Sequence, residues 1–238
     1  MAIYGINSVL EAMRAGRVRS VRVADRQGGR IGEVLSAAER MGIEVRRVQP
    51  AELDRAAKGG VHQGVVADVE RAQSYSVADL VQGAKGVPLL VVLDGIEDPH
   101  NLGAILRSVD AAGADGVIRQ SRHAAPLEGA AAKAAAGAAS HVKIAEVVNI
   151  ARAIEELKEA GVWTIGLAGD SPNRYDRLDL TVPTAIVVGA EGTGLRRLVR
   201  ERCDWLASIP MHGHVQSLNV SVAAGVTLFE AVRQRSRG

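Results

Sequence analysis

From residue 88 onward the chain alternates short apolar runs with stretches of helical periodicity, and this alternation limits its possible folds more than any other feature. The runs Leu89–Leu93, Gly116–Ile118, Val142–Ala145, Val162–Leu167, Ala185–Val188 and Leu206–Ile209 are short and almost wholly apolar, as strands buried on both faces are. Helical segments at Leu102–Ala112, Ile150–Ala160 and Leu195–Cys203 fall between them. Strand–helix alternation folds as a parallel sheet covered on both sides, and such sheets take ligands beyond the carboxyl ends of their strands. The loops after Leu93, Val188 and Ile209 are therefore where chemistry is expected. The alanine-rich stretch Ala130–Ala139 reads as a small-residue helix packed closely against a neighbour.

The chain before this region has a different texture. Residues 1–70 read as a small α/β module, with strands at Ser20–Ala24, Ile43–Val48 and Gly64–Val69 and helices at Ile31–Met41 and Ala51–Ala57. Its opening carries Arg14, Arg17, Arg19, Arg22, Arg26 and Arg30, with Asp25 the one acid among them. Such a run is either a solvated face or an RNA contact. Gly59–Gly60 and the following Val61-His62-Gln63-Gly64 mark a loop before the last strand. Residues 71–86 read as a linker with one helical turn at Val77–Val81, leaving 87–238 as the second domain.

Composition excludes more than it selects. A net charge of +2 permits an RNA partner without requiring one, and aromatics at 3% argue against a base-stacking platform. The single cysteine, Cys203, rules out an intrachain disulfide and a cysteine-based zinc cluster. No N-terminal stretch pairs a basic region with a long apolar run, and Val87–Leu93 is too short to span a bilayer. A cytoplasmic protein without a membrane association is expected.

Taken one at a time, the three loops are ambiguous. Asn101, after Asp98-Pro99-His100, suits a helix cap, and Arg107 two turns later suits a surface charge. Gly189-Ala190-Glu191-Gly192-Thr193-Gly194 lets backbone amides approach a ligand, but its spacing matches neither a dinucleotide fingerprint nor a P-loop. Glu191 would repel a phosphate, so a ligand without one is expected. Ser217 could cap a helix running to about Arg233. His212 and His214 have no third placed ligand, so no metal is expected.

Together the loops resemble the three motifs of the SpoU (SPOUT) family of RNA 2′-O-ribose methyltransferases. The first is Asp94-Gly95-x-x-Asp98-Pro99-His100-Asn101-Leu102-Gly103 with Arg107, and the second is Gly189-Ala190-Glu191-Gly192-x-Gly194-Leu195. The third is Pro210-Met211-x-Gly213-x-x-x-Ser217-Leu218-Asn219-Val220-Ser221-Val222-Ala223. Tyr4-Gly5-Ile6-Asn7-Ser8-Val9-Leu10-Glu11-Ala12 resembles the start of the family's L30e-like RNA-binding domain. Arg122-His123-Ala124-Ala125-Pro126-Leu127, with Lys133 and Ala136-Gly137-Ala138, is similar to the bacterial 23S rRNA (guanosine-2′-O-)-methyltransferase group.

The resemblance implies a parallel α/β methyltransferase domain whose C-terminal part forms a trefoil knot, preceded by the small L30e-like domain. It implies S-adenosylmethionine as cofactor, held by Gly189, Ala190, Glu191, Gly192, Gly194, Ile209, Met211, Gly213, Ser217 and Leu218. It implies a catalytic set of Arg107, Asn101, Glu191, Ser217 and Asn219, with Asn101 and Arg107 contributed across a homodimer. Arg107 then anchors the neighbouring phosphate and stabilises developing charge, because a guanidinium stays protonated. Arg14, Arg17, Arg19, Arg122 and Lys133 are the expected RNA contacts, on 23S rRNA or a ribosomal precursor. The alternatives are a tRNA ribose methyltransferase and a non-catalytic ribosome-assembly factor on the same scaffold. An oxidoreductase is disfavoured by the missing dinucleotide fingerprint.

Overall fold

The computed structural model describes residues 2–14, 16–24, 30–69, 74–127 and 130–236, which form two compact units, Met1–Gln73 and Ser74–Gly238. Asp25 and Arg26 of the arginine-rich opening, and residues 71–73 of the expected linker, lie outside the described residues.

The first unit contains β1 (Ala2–Tyr4), α1 (Ile6–Arg14), β2 (Val18–Ala24), α2 (Ile31–Arg40), β3 (Glu44–Val48), α3 (Pro50–Ala57) and β4 (Val65–Val69). Its sheet runs β1-β4-β2-β3, with β4 antiparallel to both neighbours and β2 parallel to β3. Val9, Met13, Val21, Val34, Ala38, Val65 and Ala67 form its core. Strand β1 and helix α1 are additions to the sequence reading. The glycine-bearing loop before β4 holds α1 in place, since Gln63 Oε1 accepts a hydrogen bond from the Ile6 amide at 3.0 Å. His62 Nδ1 accepts from the Gly64 amide at 3.0 Å, which puts its proton on Nε2, facing Asp54 Oδ1 at 3.0 Å.

The second unit contains α4 (Val77–Gln82), β5 (Leu89–Asp94), α5 (Pro99–Ala112), β6 (Gly116–Gln120), α6 (Ala130–Ala134) and β7 (Ile144–Val147). It continues with α7 (Ile150–Glu159), β8 (Trp163–Leu167), β9 (Thr184–Gly189), α8 (Arg197–Arg202), β10 (Trp205–Ala207) and α9 (Val220–Arg235). The six strands form one parallel sheet in the order β10-β8-β9-β5-β6-β7. Strands β5 and β9 are buried along almost their whole length, which is why their sequences show no polar alternation. One core lies on the α5, α6 and α9 face, around Leu102, Ile105, Leu106, Ala131, Ala224 and Leu228. The other lies on the α4, α7 and α8 face, around Leu80, Ile150, Ile154, Leu157 and Val199. Part of the expected linker thus belongs to this core, with Val77 and Leu80 buried and a complete Ser76–Asp79 capping box opening α4.

Adjacent strands β5 and β9 send their following helices to opposite faces, α5 to one core and α8 to the other. Diverging loops leave a crevice at their carboxyl ends, the position where parallel sheets bind ligands.

Three local readings are corrected. Helix α5 is capped by Asp98, whose side chain accepts from the His100 amide at 3.0 Å, with Pro99 in the first turn. Asn101 is therefore inside the helix and only 6% exposed, which frees it from a capping role. Helix α9 is capped by Asn219, not Ser217. The alanine-rich helix is shorter than its composition suggests. Left-handed Ala136 and Gly137 (φ 49° and 92°) break it into α6 and a single 3-10 turn, Ala138–Ser140. Its close packing is real: a Cβ on Gly103 of α5 would stand 2.4 Å from the Ala134 Cβ and 2.6 Å from the Ala131 carbonyl oxygen.

Candidate active site

The crevice is organised by side chains that end apolar strands. Asp94, the last residue of β5, is fully buried and bound at both oxygens by Arg196. The Arg196 amide donates to Oδ2 at 2.8 Å and its Nε to Oδ1 at 2.6 Å. This clamp fastens the far end of the glycine loop to the β5 terminus. At its near end the loop closes on itself, with the Gly194 amide donating to the Ala190 carbonyl at 2.8 Å. Gly192 and Gly194 adopt positive φ (79° and 67°), so the tight return depends on glycine.

Asn219 links this loop to α5. Its Oδ1 accepts from the Ser221 amide at 2.9 Å, as an N-cap should, and that contact fixes which way the side-chain amide faces. Its Nδ2 therefore donates to Asn101 Oδ1 at 2.9 Å and to Glu191 Oε1 at 2.5 Å. Residues 101, 191 and 219 thus meet in one chain, so Asn101 reaches the cluster without help from a second copy, contrary to expectation. The Asn101 NH2 group has no protein partner among the described residues and belongs to the wall of the adjoining cavity.

That cavity has a volume of about 420 Å³ and opens between the ends of β5, β6 and β9. Gly95, Ile96 and Glu97 line it from the β5 loop, Gln120 and His123 from the end of β6, and Glu191 and Arg196 from the glycine loop. Its carboxylates make it a poor home for a phosphate.

The other expected site residues are more scattered. Among the expected cofactor contacts, Ala190, Glu191 and Gly194 line the cavity, while Gly189 packs beneath the returning loop and Gly192 is exposed. Ile209, Met211, Gly213, Ser217 and Leu218 lie on the segment leading to α9, outside the cavity wall. Ser217 is exposed and bonds to none of the cluster residues. Arg107 is exposed on α5 and likewise stands apart. Arg122 is exposed beside the cavity residue His123, and Lys133 is exposed on α6. Arg14 and Arg19 are exposed and Arg17 half-buried in the first unit.

Sequence reasoning missed Asp94 and Arg196 as a pair, and Gln120 and His123 as cavity residues. A polar residue closing an otherwise apolar strand was the available signal for Asp94, whereas the strand before Gln120 already turns polar at Arg119. Cys203 offers no nucleophile, since burial pushes its thiol pKa up to about 12. No cluster of metal-ligating side chains occurs among the described residues, and none of their helices is long and apolar enough to cross a membrane.

Comparison with known proteins places this geometry. The SpoU rRNA Methylase family matches residues 88–229, and the family described as RNA 2′-O ribose methyltransferase substrate binding matches residues 2–75. A Xylella fastidiosa protein named 23S rRNA (guanosine-2′-O-)-methyltransferase RlmB is 48% identical over 240 aligned positions, covering 98% of this chain and 96% of its own. A Pseudomonas syringae pv. tomato protein of the same name is 45% identical, with the same coverage of both chains. Among solved structures, the SpoU methyltransferase AviRb from Streptomyces viridochromogenes, in complex with AdoMet, superposes with a TM-score of 0.66 at 28% identity. That match covers 100% of this chain and 91% of AviRb.

Proposed function

The chain belongs to the SpoU rRNA Methylase family, and on that footing we propose that it transfers a methyl group from S-adenosylmethionine to the 2′-hydroxyl of a guanosine ribose in 23S rRNA. The observation that carries the reading is the Asn101–Asn219–Glu191 cluster at the carboxyl ends of parallel strands, in a chain nearly half identical to enzymes with that name. An rRNA substrate also puts the enzyme in the cytoplasm.

The residues present suit this cofactor. The backbone of residues 209–218 makes no hydrogen bond to other backbone among the described residues, so its N–H and C=O groups are available to a ligand. The glycine loop carries an acid and no base, which fits a ligand without phosphate. Residues 189–194 and 209–218 would hold S-adenosylmethionine, brought together by the trefoil knot of the family. When bound, the cofactor supplies an electrophilic methyl group on a sulfonium centre.

What the chain does is place the attacking oxygen. Asn219, anchored by its own helix cap, holds both Asn101 and Glu191 in one orientation. The unengaged Asn101 NH2 then donates to the ribose, and a fixed approach of two bound reactants supplies much of the acceleration. Arg107 enters from a second copy of the chain, because in its own chain it is exposed and apart from the cluster. Helix α9 offers a surface for that copy, with Val222 and Phe229 about half exposed two turns apart. Arg107 then holds the phosphate beside the target and stabilises charge on the oxygen.

The test is tritiated methyl transfer to unmodified 23S rRNA and, separately, to unmodified tRNA. Label recovered as 2′-O-methylguanosine from 23S rRNA is expected. Label only in tRNA would replace the substrate, and cofactor binding without transfer to either RNA would favour a non-catalytic scaffold. Mixing Arg107→Ala chains with chains blocked at the cofactor loop should restore activity in mixed dimers. No recovery after verified exchange would remove the shared site.

A further inference from the structure

Gln120 closes β6 in the wall of the active-site cavity, and it is 8% exposed. Its Oε1 is buried without a hydrogen-bond partner, and its Nε2 makes no bond to any described residue either. Buried side-chain amides are almost always paired, and leaving one unpaired is costly. Nothing in the protein fixes which pole of this amide faces the cavity. A group so placed is complete only when the cavity is filled by something that offers it a hydrogen bond.

The surroundings narrow the choice of occupant. The cavity begins at the Asn101–Glu191 pair, beside the proposed transfer site, and extends to Gln120 and His123 at the end of β6. Asp94 is neutralised by Arg196, whereas Glu97 has no partner among the described residues, so an acidic wall remains. Acidic walls repel phosphate and attract N–H donors. Gly95 and Ile96 add small and apolar surface. A nucleobase with adjacent N–H donors and one oxygen acceptor matches this pattern, and guanine alone among the four bases has it, in N1–H, the N2 amino group and O6.

We propose that this cavity takes the base of the target nucleotide, with Gln120 donating to guanine O6 and Glu97 accepting from N1–H and the N2 amino group. Gln120 is then a specificity-determining residue for the transfer. This inference rests on the proposed function and identifies how that reading selects guanosine.

The test is a cycle between protein and base. The nucleotide labelled by the unsubstituted enzyme is mapped first, and rRNA fragments are prepared with guanosine, 2-aminopurine riboside (no O6 and no N1–H) or inosine (no N2 amino group) there. Methyl transfer to each is measured for the unsubstituted chain, Gln120→Leu and Glu97→Gln, with S-adenosylmethionine affinity measured by calorimetry. For the unsubstituted chain, 2-aminopurine should lower kcat/KM roughly a hundredfold, because it removes both the O6 contact to Gln120 and the N1–H contact to Glu97. Gln120→Leu should lower transfer to guanosine roughly tenfold and show a smaller 2-aminopurine penalty than the unsubstituted chain, because only the N1–H contact to Glu97 is then left to lose, with unchanged cofactor affinity. Glu97→Gln should couple in the same way to inosine.

Equal penalties for 2-aminopurine with and without Gln120 would overturn the assignment, leaving an ordered water as the partner of that amide. A Gln120→Leu chain that loses cofactor affinity and all transfer in parallel would also overturn it, in favour of a structural role. If the unsubstituted chain methylates no RNA, the proposed function itself fails and this inference goes with it.

Discussion

Gly189→Ala isolates the role of the glycine loop. A Cβ at this position would lie 2.1 Å from Gly194 C, 2.3 Å from Gly194 O and 2.3 Å from Leu195 N. Ordinary contact begins near 3.4 Å, so the returning backbone must retreat by about 1.3 Å (3.4 − 2.1). All three atoms are backbone, so no side chain can swing aside. Overpacking of this kind costs about 1–3 kcal/mol. The retreat also pulls on the Gly194–Ala190 bond and on the Arg196 amide held by Asp94, each at 2.8 Å. Gly192→Ala is the control. It has open space around its Cβ position and only its φ of 79° to accommodate, at roughly 1–2 kcal/mol. The two variants should therefore be comparably destabilised, but only Gly189→Ala should displace the loop. S-adenosylmethionine affinity, measured by titration calorimetry, should fall at least about tenfold for Gly189→Ala, equivalent to 1.4 kcal/mol. It should change much less for Gly192→Ala. Unchanged affinity in Gly189→Ala would refute the assignment of this loop to the cofactor.

Asn219→Asp keeps an acceptor for the Ser221 amide, so α9 stays capped, but it turns a donor towards Asn101 and Glu191 into an acceptor. Methyl transfer should drop roughly tenfold or more with little change in thermal stability, and a loss of stability matching the loss of rate would argue for a purely structural residue. Arg235 ties the end of α9 to the chain around β5, donating to the carbonyls of Leu180, Pro88 and Val182 at 2.8, 3.0 and 2.8 Å. Arg235→Lys cannot reproduce that fork and should destabilise by about 1–3 kcal/mol for each carbonyl left unpaired; an unshifted urea midpoint would contradict this. Burial alone would raise the Asp204 carboxyl, but hydrogen bonds from Thr164 and the Lys158 ion pair outweigh it and hold its pKa below the ordinary 3.8. A carboxyl depressed on folding stabilises the protein above its unfolded pKa and loses that contribution as pH falls through the folded value. Denaturation titrations below about pH 4 should therefore show a weaker acid dependence in Asp204→Asn than in the unsubstituted chain.

The second unit was legible because its strands are buried on both sides, and burial writes itself into composition. The strand starting at Leu89 and the one around Ala185 needed no periodicity to be found. The ends of elements were harder. Asn101 and Ser217 both satisfy the chemistry of a cap, yet Asp98 and Asn219 occupy the positions. Local preference allows several caps within four residues, and tertiary contacts decide among them: Asn101 is drawn into the cluster by a partner 118 positions away. In the first unit, β1 is three residues long and is defined by pairing with β4, a contact beyond any local window. Gln120 was invisible for a related reason. Its sequence neighbours mark only a strand end, and its significance lies in the hydrogen bond it lacks.

The site is built almost wholly from such distant ties. Asp94 meets Arg196 across 102 positions, Asn219 meets Asn101 across 118, and Asn219 meets Glu191 across 28. Each joins a different pair of loops, so the arrangement is complete only when β5, β9 and α9 are all in place. The polar atoms have few degrees of freedom left once this happens. Asp94 is held at both oxygens, and the Asn219 amide is oriented by its own helix. The fixed geometry of this polar cluster contrasts with residues 209–218, whose backbone has no backbone hydrogen-bond partner among the described residues. In the proposed function a ligand held there supplies hydrogen bonds that the fold leaves unmade, while the Asn101–Asn219–Glu191 cluster is already set. Such a division suits the proposed methyl transfer, which depends on placing two reactants: the polar cluster is preorganised, and a cofactor held by residues 209–218 would complete the hydrogen bonds their backbone lacks.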